Sequence, residues 1–390
     1  MAKVFAFHLM PYLDMPEDFH KNYDTSWVTF PNTYYDPEKG QQYYNDYLNQ
    51  LAYCDKLGFD GIVVNEHHQT AYGMMPSPNI MAAALTQITT RAQIAILGNA
   101  ISLRAFPQQV AEEVAMLDVM SGGRVISGFV RGIGAEYYIF RLNPADSKDR
   151  FYEAHDLIVK AWSEPGPFAF HGKHYSFPSV NVWPRPLQKP YPPIWLPSQG
   201  SKDTIEFAAA KGYTYLQTLS SLKDLKASFD LYREEADKLG YTARPDQLGW
   251  SVKVYVAETD EQAWAEAEEH IMYFFNNHFV MPKHFFFPPG YIHEDSLVRI
   301  MKAKSGLGQP GHFTFKELVE KGYVIVGSPE TVRQRIEEVH KDLEFGNLVV
   351  HMHSGNMPNF RAMKNIELFG RHVLPHIQKL GQKEKVGATS

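Results

Sequence analysis

Three groups of residues have the types and spacing that acid–base and phosphate-binding chemistry require. The first is Glu66-His67-His68, which closes a short apolar run from Ile62 to Asn65. An imidazole takes or gives a proton near neutral pH when its neighbours hold it in place. The alternative is a histidine that satisfies backbone groups at a strand end. The position at the end of a buried strand favours chemistry, because parallel barrels carry their reactions there. The second group is Arg131-Gly132 together with Ser198, Gly200, Ser201 and Thr204 around the start of a later helix. Free N–H groups and the positive end of the helix dipole attract an anion there, and hydroxyls add donors. Taken alone, Ser201 reads as an ordinary N-cap. With Arg131 on the neighbouring strand end, the pair reads as a phosphate site. The third group is His351-Met352-His353. Two histidines two apart on an extended segment point to one face, as metal ligands do. The first strand adds only His8 and the fifth and sixth strand ends add no histidine, so no metal is expected.

The elements that must position these groups alternate. Apolar runs at Val4–Leu9, Ile62–Asn65, Ala92–Leu97, Arg124–Phe129, Ile194–Leu196, Tyr215–Thr218, Gly249–Val256 and Leu348–His351 read as eight strands. Helical periodicity separates them. Pro37 with Gly58, and Ser77-Pro78, mark helix ends. Eight alternating units predict an α/β fold, a (β/α)8 TIM barrel with insertions after strands 1, 4 and 7. A doubly wound sheet lacks the Gly-x-Gly-x-x-Gly signature. The insertions are a long connection from Pro11 to Pro37, a hairpin around His171-Gly172-Lys173, and an aromatic, proline-rich stretch from Met272 that runs to about Gly322. The last lines an apolar pocket, or serves aromatic packing that anchors it to the barrel or makes a subunit contact, and both readings can hold together. Residues 1–380 are expected to form one domain, and 381–390 a flexible tail.

Composition narrows the class further. The 390 residues are 44% hydrophobic and 21% charged, with a net charge of −6. That excludes wholesale disorder and offers nothing that calls for nucleic acid. Cys54 stands alone, so no internal disulfide framework exists, which fits a reducing compartment. No run is long and apolar enough to span a bilayer, and the start lacks a signal-peptide pattern. A cytoplasmic protein is expected.

Several motifs, in order, resemble those of the bacterial luciferase-like flavin-dependent monooxygenases. They are Gly58-Phe59-Asp60-Gly61 before Glu66-His67-His68, Ser77-Pro78-Asn79, Glu112 to Asp118, and Ser121-Gly122-Gly123-Arg124. Gly128-Phe129-Val130-Arg131-Gly132 follows, and then Pro184-Arg185-Pro186 before Pro193-Ile194-Trp195. The resemblance runs from Val4 to about Ile377. It implies a homodimeric barrel that uses reduced FMN, supplied by a separate NAD(P)H:flavin reductase, with O2 as co-substrate. Through a flavin 4a-(hydro)peroxide, such an enzyme oxygenates a small, largely apolar organic compound. By the same resemblance His67 is the catalytic residue and Arg131 a phosphate ligand. Ser198, Gly200, Ser201 and Thr204 complete the phosphate contacts. The chain departs from the family at Gly200, where luciferases have a glutamate, and at Val130, where the family has a cysteine. A non-prolyl cis peptide beside the flavin would fall at Gly98–Asn99, which puts Asn99 among the cofactor-binding residues. Three other readings stay open: a deazaflavin-dependent oxidoreductase that transfers hydride without oxygen, a metal-dependent barrel hydrolase using His351 and His353, and a flavin-binding barrel without catalysis.

Overall fold

A computed structural model of the chain describes residues 1–292 and 311–381. Its eight-stranded ring is β1 (Lys3–Phe7), β2 (Gly61–Val64), β3 (Gln93–Ala100) and β4 (Val125–Val130), then β7 (Ile194–Ser198), β8 (Thr214–Gln217), β9 (Leu248–Val256) and β11 (Asn347–His351). All neighbours in the ring pair in parallel, and pairing of β8 with β9 and of β11 with β1 closes it. The expected (β/α)8 barrel is therefore observed. The hairpin after β4 is also present, as antiparallel β5 (Phe168–His171) and β6 (Ser176–Val180).

Side-chain alternation builds two layers of core. Phe5, Val63, Ala95, Leu97, Ile126, Trp195, Leu216 and Val349 fill the barrel interior. Their neighbours Val4, Ala6, Ile62, Val64, Ile94 and Leu196 point outward against the helices. The helices start and stop where their caps dictate. For the helix Pro37–Leu57, the Asp36 carboxylate accepts from the Glu38 and Lys39 N–H groups at 2.9 and 3.3 Å. Gly58 ends it at φ +100, a conformation that costs glycine little. Among the described residues, no helix is long and apolar enough to cross a membrane.

Four features differ from the sequence reading. A ninth strand, β10 (Val324–Gly327), pairs with the C-terminal half of β9. β10 and β11 both meet β9 at Lys253, so they lie on opposite edges, and β10 takes the edge that β8 leaves after Trp250. A four-residue buried strand gives too short a periodic signal to be separated from the insertion before it. The sequence from Asn359 to Ile377 predicts one continuous helix, but the chain changes pitch there through a π-helical turn at Phe369–Val373. Pro375 lies just beyond it and cannot donate back along an α-helical ladder. The non-prolyl cis bond joins Leu97 to Gly98, one bond before the expected Gly98–Asn99. Ser77 occupies the N-cap position, but its hydroxyl makes no capping bond. Part of the insertion expected up to Gly322, residues 293–310, and nearly all of the expected tail, residues 382–390, lie outside the described residues.

Candidate functional site

The C-terminal ends of the strands form one mouth, which polar side chains enter beside the apolar Phe7. Alternation carries Val63 to Asn65 and Val349 to His351, but in β3 a register shift after Ile96 breaks it and sets Asn99 opposite Phe129. Asn99 is fully buried, and neither its Oδ1 nor its Nδ2 has a hydrogen-bond partner among the described residues. Asn65 is buried too, with its Oδ1 unpartnered. A buried amide left unpaired costs about 1–3 kcal/mol. At the mouth these amides leave donors and acceptors that the described residues do not satisfy. At Gly98 a Cβ would lie 2.7 Å from the Gly128 carbonyl carbon and oxygen, so β3 and β4 approach there only because both positions are glycine. That approach, with a shift in register between Ile96 and Asn99, sets where the Asn99 side chain emerges.

His67 lies just beyond β2. Its Nδ1 is 3.3 Å from Oε1 of Glu136, a carboxylate on the short helix Gly134–Ile139 after β4. The other oxygen of Glu136 accepts from the Ile133 N–H at 2.8 Å, so the carboxylate is fixed from both sides. It is buried at 1% exposure, whereas the His67 side chain keeps 18%. The arrangement holds one proton on Nδ1 and turns Nε2 away from the carboxylate. Glu66 has a separate task. Its carboxylate binds His68 Nε2 at 2.8 Å, Arg104 Nη2 at 2.6 Å and the Ala100 N–H at 3.1 Å. Glu66 thus braces the end of β3, and each of the two histidines has one ring nitrogen on a carboxylate and the other without a hydrogen bond among the described residues.

Two insertions roof this histidine. Trp27, in the loop after β1, packs edge-on to His67 with ring centres 5.1 Å apart, and Tyr72 does the same at 5.1 Å. The loop is tied to the aromatic insertion by backbone carbonyls. Thr25 Oγ1 donates to Val280 O at 2.8 Å, Ser26 Oγ to His278 O at 2.8 Å, and Trp27 Nε1 to His278 O at 3.0 Å. Tyr72 then meets Phe274 and Phe279. The aromatic stretch thus anchors itself by packing against the loop after β1 and against Tyr72.

The second group is assembled only in part. Arg131 Nη1 reaches Ser147 Oγ and the Tyr291 carbonyl, both at 3.3 Å, and the guanidinium lies 4.6 Å from the centre of the Tyr291 ring. No carboxylate pairs with it among the described residues. Next along the chain from Ser147, Lys148 pairs with Asp203 at 2.8 Å, in the first turn of the helix Lys202–Lys211. The Arg131 corner and the start of that helix are therefore joined through Ser147 and Lys148, and among the described residues no hydrogen bond or ion pair links them directly. At the helix start Ser198 Oγ accepts from the Ser201 N–H at 3.0 Å, and Gly200 turns the chain at φ +90. Ser201 is the N-cap residue, yet its hydroxyl makes no capping bond. Thr204 spends its N–H on the Ser201 carbonyl.

His351 and His353 do not converge on a metal. His351 Nε2 lies 2.6 Å from Ser251 Oγ, while His353 Nε2 donates to the Met357 carbonyl at 2.9 Å. Among the described residues no three His, Cys, Asp or Glu side chains gather as a metal site. Burial depresses both imidazoles well below the usual histidine range.

Sequence reasoning missed Glu136, Tyr291 and Lys253. Glu136 sits on a helix of only six residues and Tyr291 in an irregular stretch, so no periodicity marks either. Lys253 carries a readable signal: it is the one charge in the otherwise apolar run Val252-Lys253-Val254.

The family described as luciferase-like monooxygenase matches residues 25–343. An uncharacterized protein of Sinorhizobium fredii is 32% identical over 43% of the chain and 49% of its own length. The chain thus spans about half of that relative. The oxygenase component of the flavin-dependent trigonelline monooxygenase of Acinetobacter baylyi is 26% identical over 63% of the chain and 67% of its own length. Among solved structures, the oxygenating constituent of 3,6-diketocamphane monooxygenase from the CAM plasmid of Pseudomonas putida, in complex with FMN, superposes with a TM-score of 0.71. It is 20% identical and covers 96% of this chain and 99% of its own, which shows a shared fold.

Proposed function

The chain belongs to the luciferase-like monooxygenase family, and we propose that it is the oxygenase component of a two-component system that uses reduced FMN and O2. Its substrate is a small, largely apolar organic compound, and a separate NAD(P)H:flavin reductase supplies the cofactor. The observation that carries this reading is Asn99, fully buried at the mouth with both amide atoms unpaired. A flavin edge, with its alternating donors and acceptors, is the kind of group that answers such an amide. Arg131, Ser147 and Ser201, with the backbone of Gly200, would hold the phosphate, and Ser198 and Thr204 shape that turn.

When bound, the reduced flavin supplies the electrons that activate O2 for transfer of one oxygen atom. The protein contributes the rest. The Asn65 and Asn99 amides orient the ring edge. The Trp27, Tyr72 and Phe274 roof excludes water. His67, held by Glu136, gives or takes one proton at Nε2.

The test is anaerobic titration with reduced FMN, followed by mixing with oxygenated buffer. The expected result is tight binding and flavin reoxidation far slower than in free solution. Weak binding with reoxidation at the free rate would sink the reading, and a deazaflavin titration would then follow. Arg131→Ala is expected to weaken reduced FMN by roughly tenfold to a hundredfold, the loss of one charge-assisted phosphate contact. Riboflavin, which lacks the phosphate, should bind wild type and variant alike.

The homodimer has its own support. The helices Pro78–Ile88 and Pro107–Ser121 present Ile80, Ile88, Met116, Val119 and Met120 to solvent. An apolar face of this extent on adjacent helices fits a second copy of the chain. Sedimentation should give a dimer for the wild type and a monomer for the double variant Met116→Lys, Met120→Lys. A monomeric wild type would contradict the proposal.

A further inference from the structure

Lys253 is in the wrong place for an ordinary lysine. It lies on β9, in register with His351 of β11, which in turn is in register with Phe7 of β1. These three side chains form one row across the mouth, one layer above Val349 and Ser251. The ammonium does not reach water: Lys253 is 2% exposed. It has one polar partner, Ser354 Oγ at 3.2 Å, and its Nζ stands 3.5 Å from the centre of the Phe274 ring. Among the described residues no carboxylate pairs with it.

Its titratable neighbours are imidazoles: His351 and His353 from the β11 end and His278 from the aromatic roof. His278 donates from Nε2 to the Tyr12 carbonyl at 2.9 Å, as His353 does to Met357, and burial keeps all three neutral. Burial alone also pushes the Lys253 ammonium down, to about 7. A buried amine without an anion is a net cost to the fold, and an apolar side chain of the same length would fill the position more cheaply. Its presence calls for a partner that the chain itself does not contain.

We infer that Lys253 is the charge partner of a carboxylate carried by the substrate, docked in the corner between Lys253, Ser354 and the Phe274 ring. The inference rests on the oxygenase reading and deepens it. The substrate is then an otherwise apolar carboxylic acid, its body against Phe7 and Phe274 and its charge against Nζ. The ring of Phe274 above Nζ gives the ammonium a resting contact that a carboxylate displaces or joins.

The test compares benzoate with benzamide, equal in shape and different in charge, by isothermal titration calorimetry on the intact chain with and without FMN. Wild type is expected to prefer benzoate by about tenfold or more, the value of one charge-assisted hydrogen bond. Lys253→Met should abolish the preference while keeping or raising the thermal midpoint. Equal affinities in wild type, binding of neither compound, or a preference that survives Lys253→Met would each overturn the inference. The comparison on wild type decides even if the variant fails to fold. Reduced FMN affinity of Lys253→Met is read separately. If it falls while benzoate binding is unchanged, the charge serves the flavin and the inference is wrong. If reduced FMN fails to bind wild type while the benzoate preference holds, the oxygenase reading falls and the carboxylate site stands.

Discussion

His67→Ala is expected to bind reduced FMN nearly as well as wild type and to lose product formation by roughly 10²–10⁴-fold, the usual worth of a positioned acid–base group. Oxygen consumption should continue, with hydrogen peroxide replacing product. The measurement is the ratio of peroxide to product at equal flavin turnover. An unchanged ratio would remove His67 from the chemistry. Glu136→Gln separates positioning from proton transfer. The amide can still accept from Ile133 N–H, so the turn at Gly134 survives. Facing His67 Nδ1, however, it offers either a competing donor or a weaker, uncharged acceptor. The imidazole then loses the partner that kept its proton on Nδ1, and Nε2 loses its defined role. Glu136→Gln should therefore show the same uncoupling in smaller degree, and Glu136→Asp should recover part of it. A purely structural role for Glu136 would instead lower the thermal midpoint with no change in the ratio of peroxide to product.

The second large effect is acid lability. His8, His278, His351 and His353 are all buried, and burial holds His8 near 3, His278 near 4, and the other two well below the usual range. His8 shows why. Its Nδ1 accepts from the Met10 N–H at 2.8 Å, so the ring is neutral, and a second proton would collide with that bond. A base whose folded pKa is depressed is protonated more readily in the unfolded chain. Stability is then fully present above the unfolded value of 6.5 and is lost as pH falls from there towards about 3 to 4. Each histidine contributes about 1.4 kcal/mol per pH unit in that window, so four together approach about 6 kcal/mol per unit. Against a total stability of about 5–15 kcal/mol, unfolding is expected within one to three units below pH 6.5. Lys253 extends the trend upward: the unfolded chain binds its proton up to 10.5 and the folded one only to about 7, so stability rises further between those values. Thermal midpoints from pH 9 to pH 5 check both limbs. A flat profile between pH 6.5 and 5 would show that the imidazoles are not held neutral.

The sequence by itself determined the barrel, because eight alternating units are a local signal repeated along the chain. Each of the eight ring strands shows its apolar run, helical periodicity separates them, and the ring follows from their order. It also marked where chemistry is expected, since Glu66-His67-His68 ends one strand and Arg131-Gly132 follows another. Tertiary structure decided what each of these side chains does. Glu66 and Glu136 are both single glutamates in the sequence, yet one braces β3 and the other holds His67, because the helix after β4 folds back over the end of β2. Arg131 meets Tyr291, 160 residues further on, at a separation no local pattern reports. Lys253 is a lone charge in an apolar strand until β9 is placed between β10 and β11. Only then does its burial without a carboxylate become a physical fact, because desolvation belongs to the packed mouth and not to the residue.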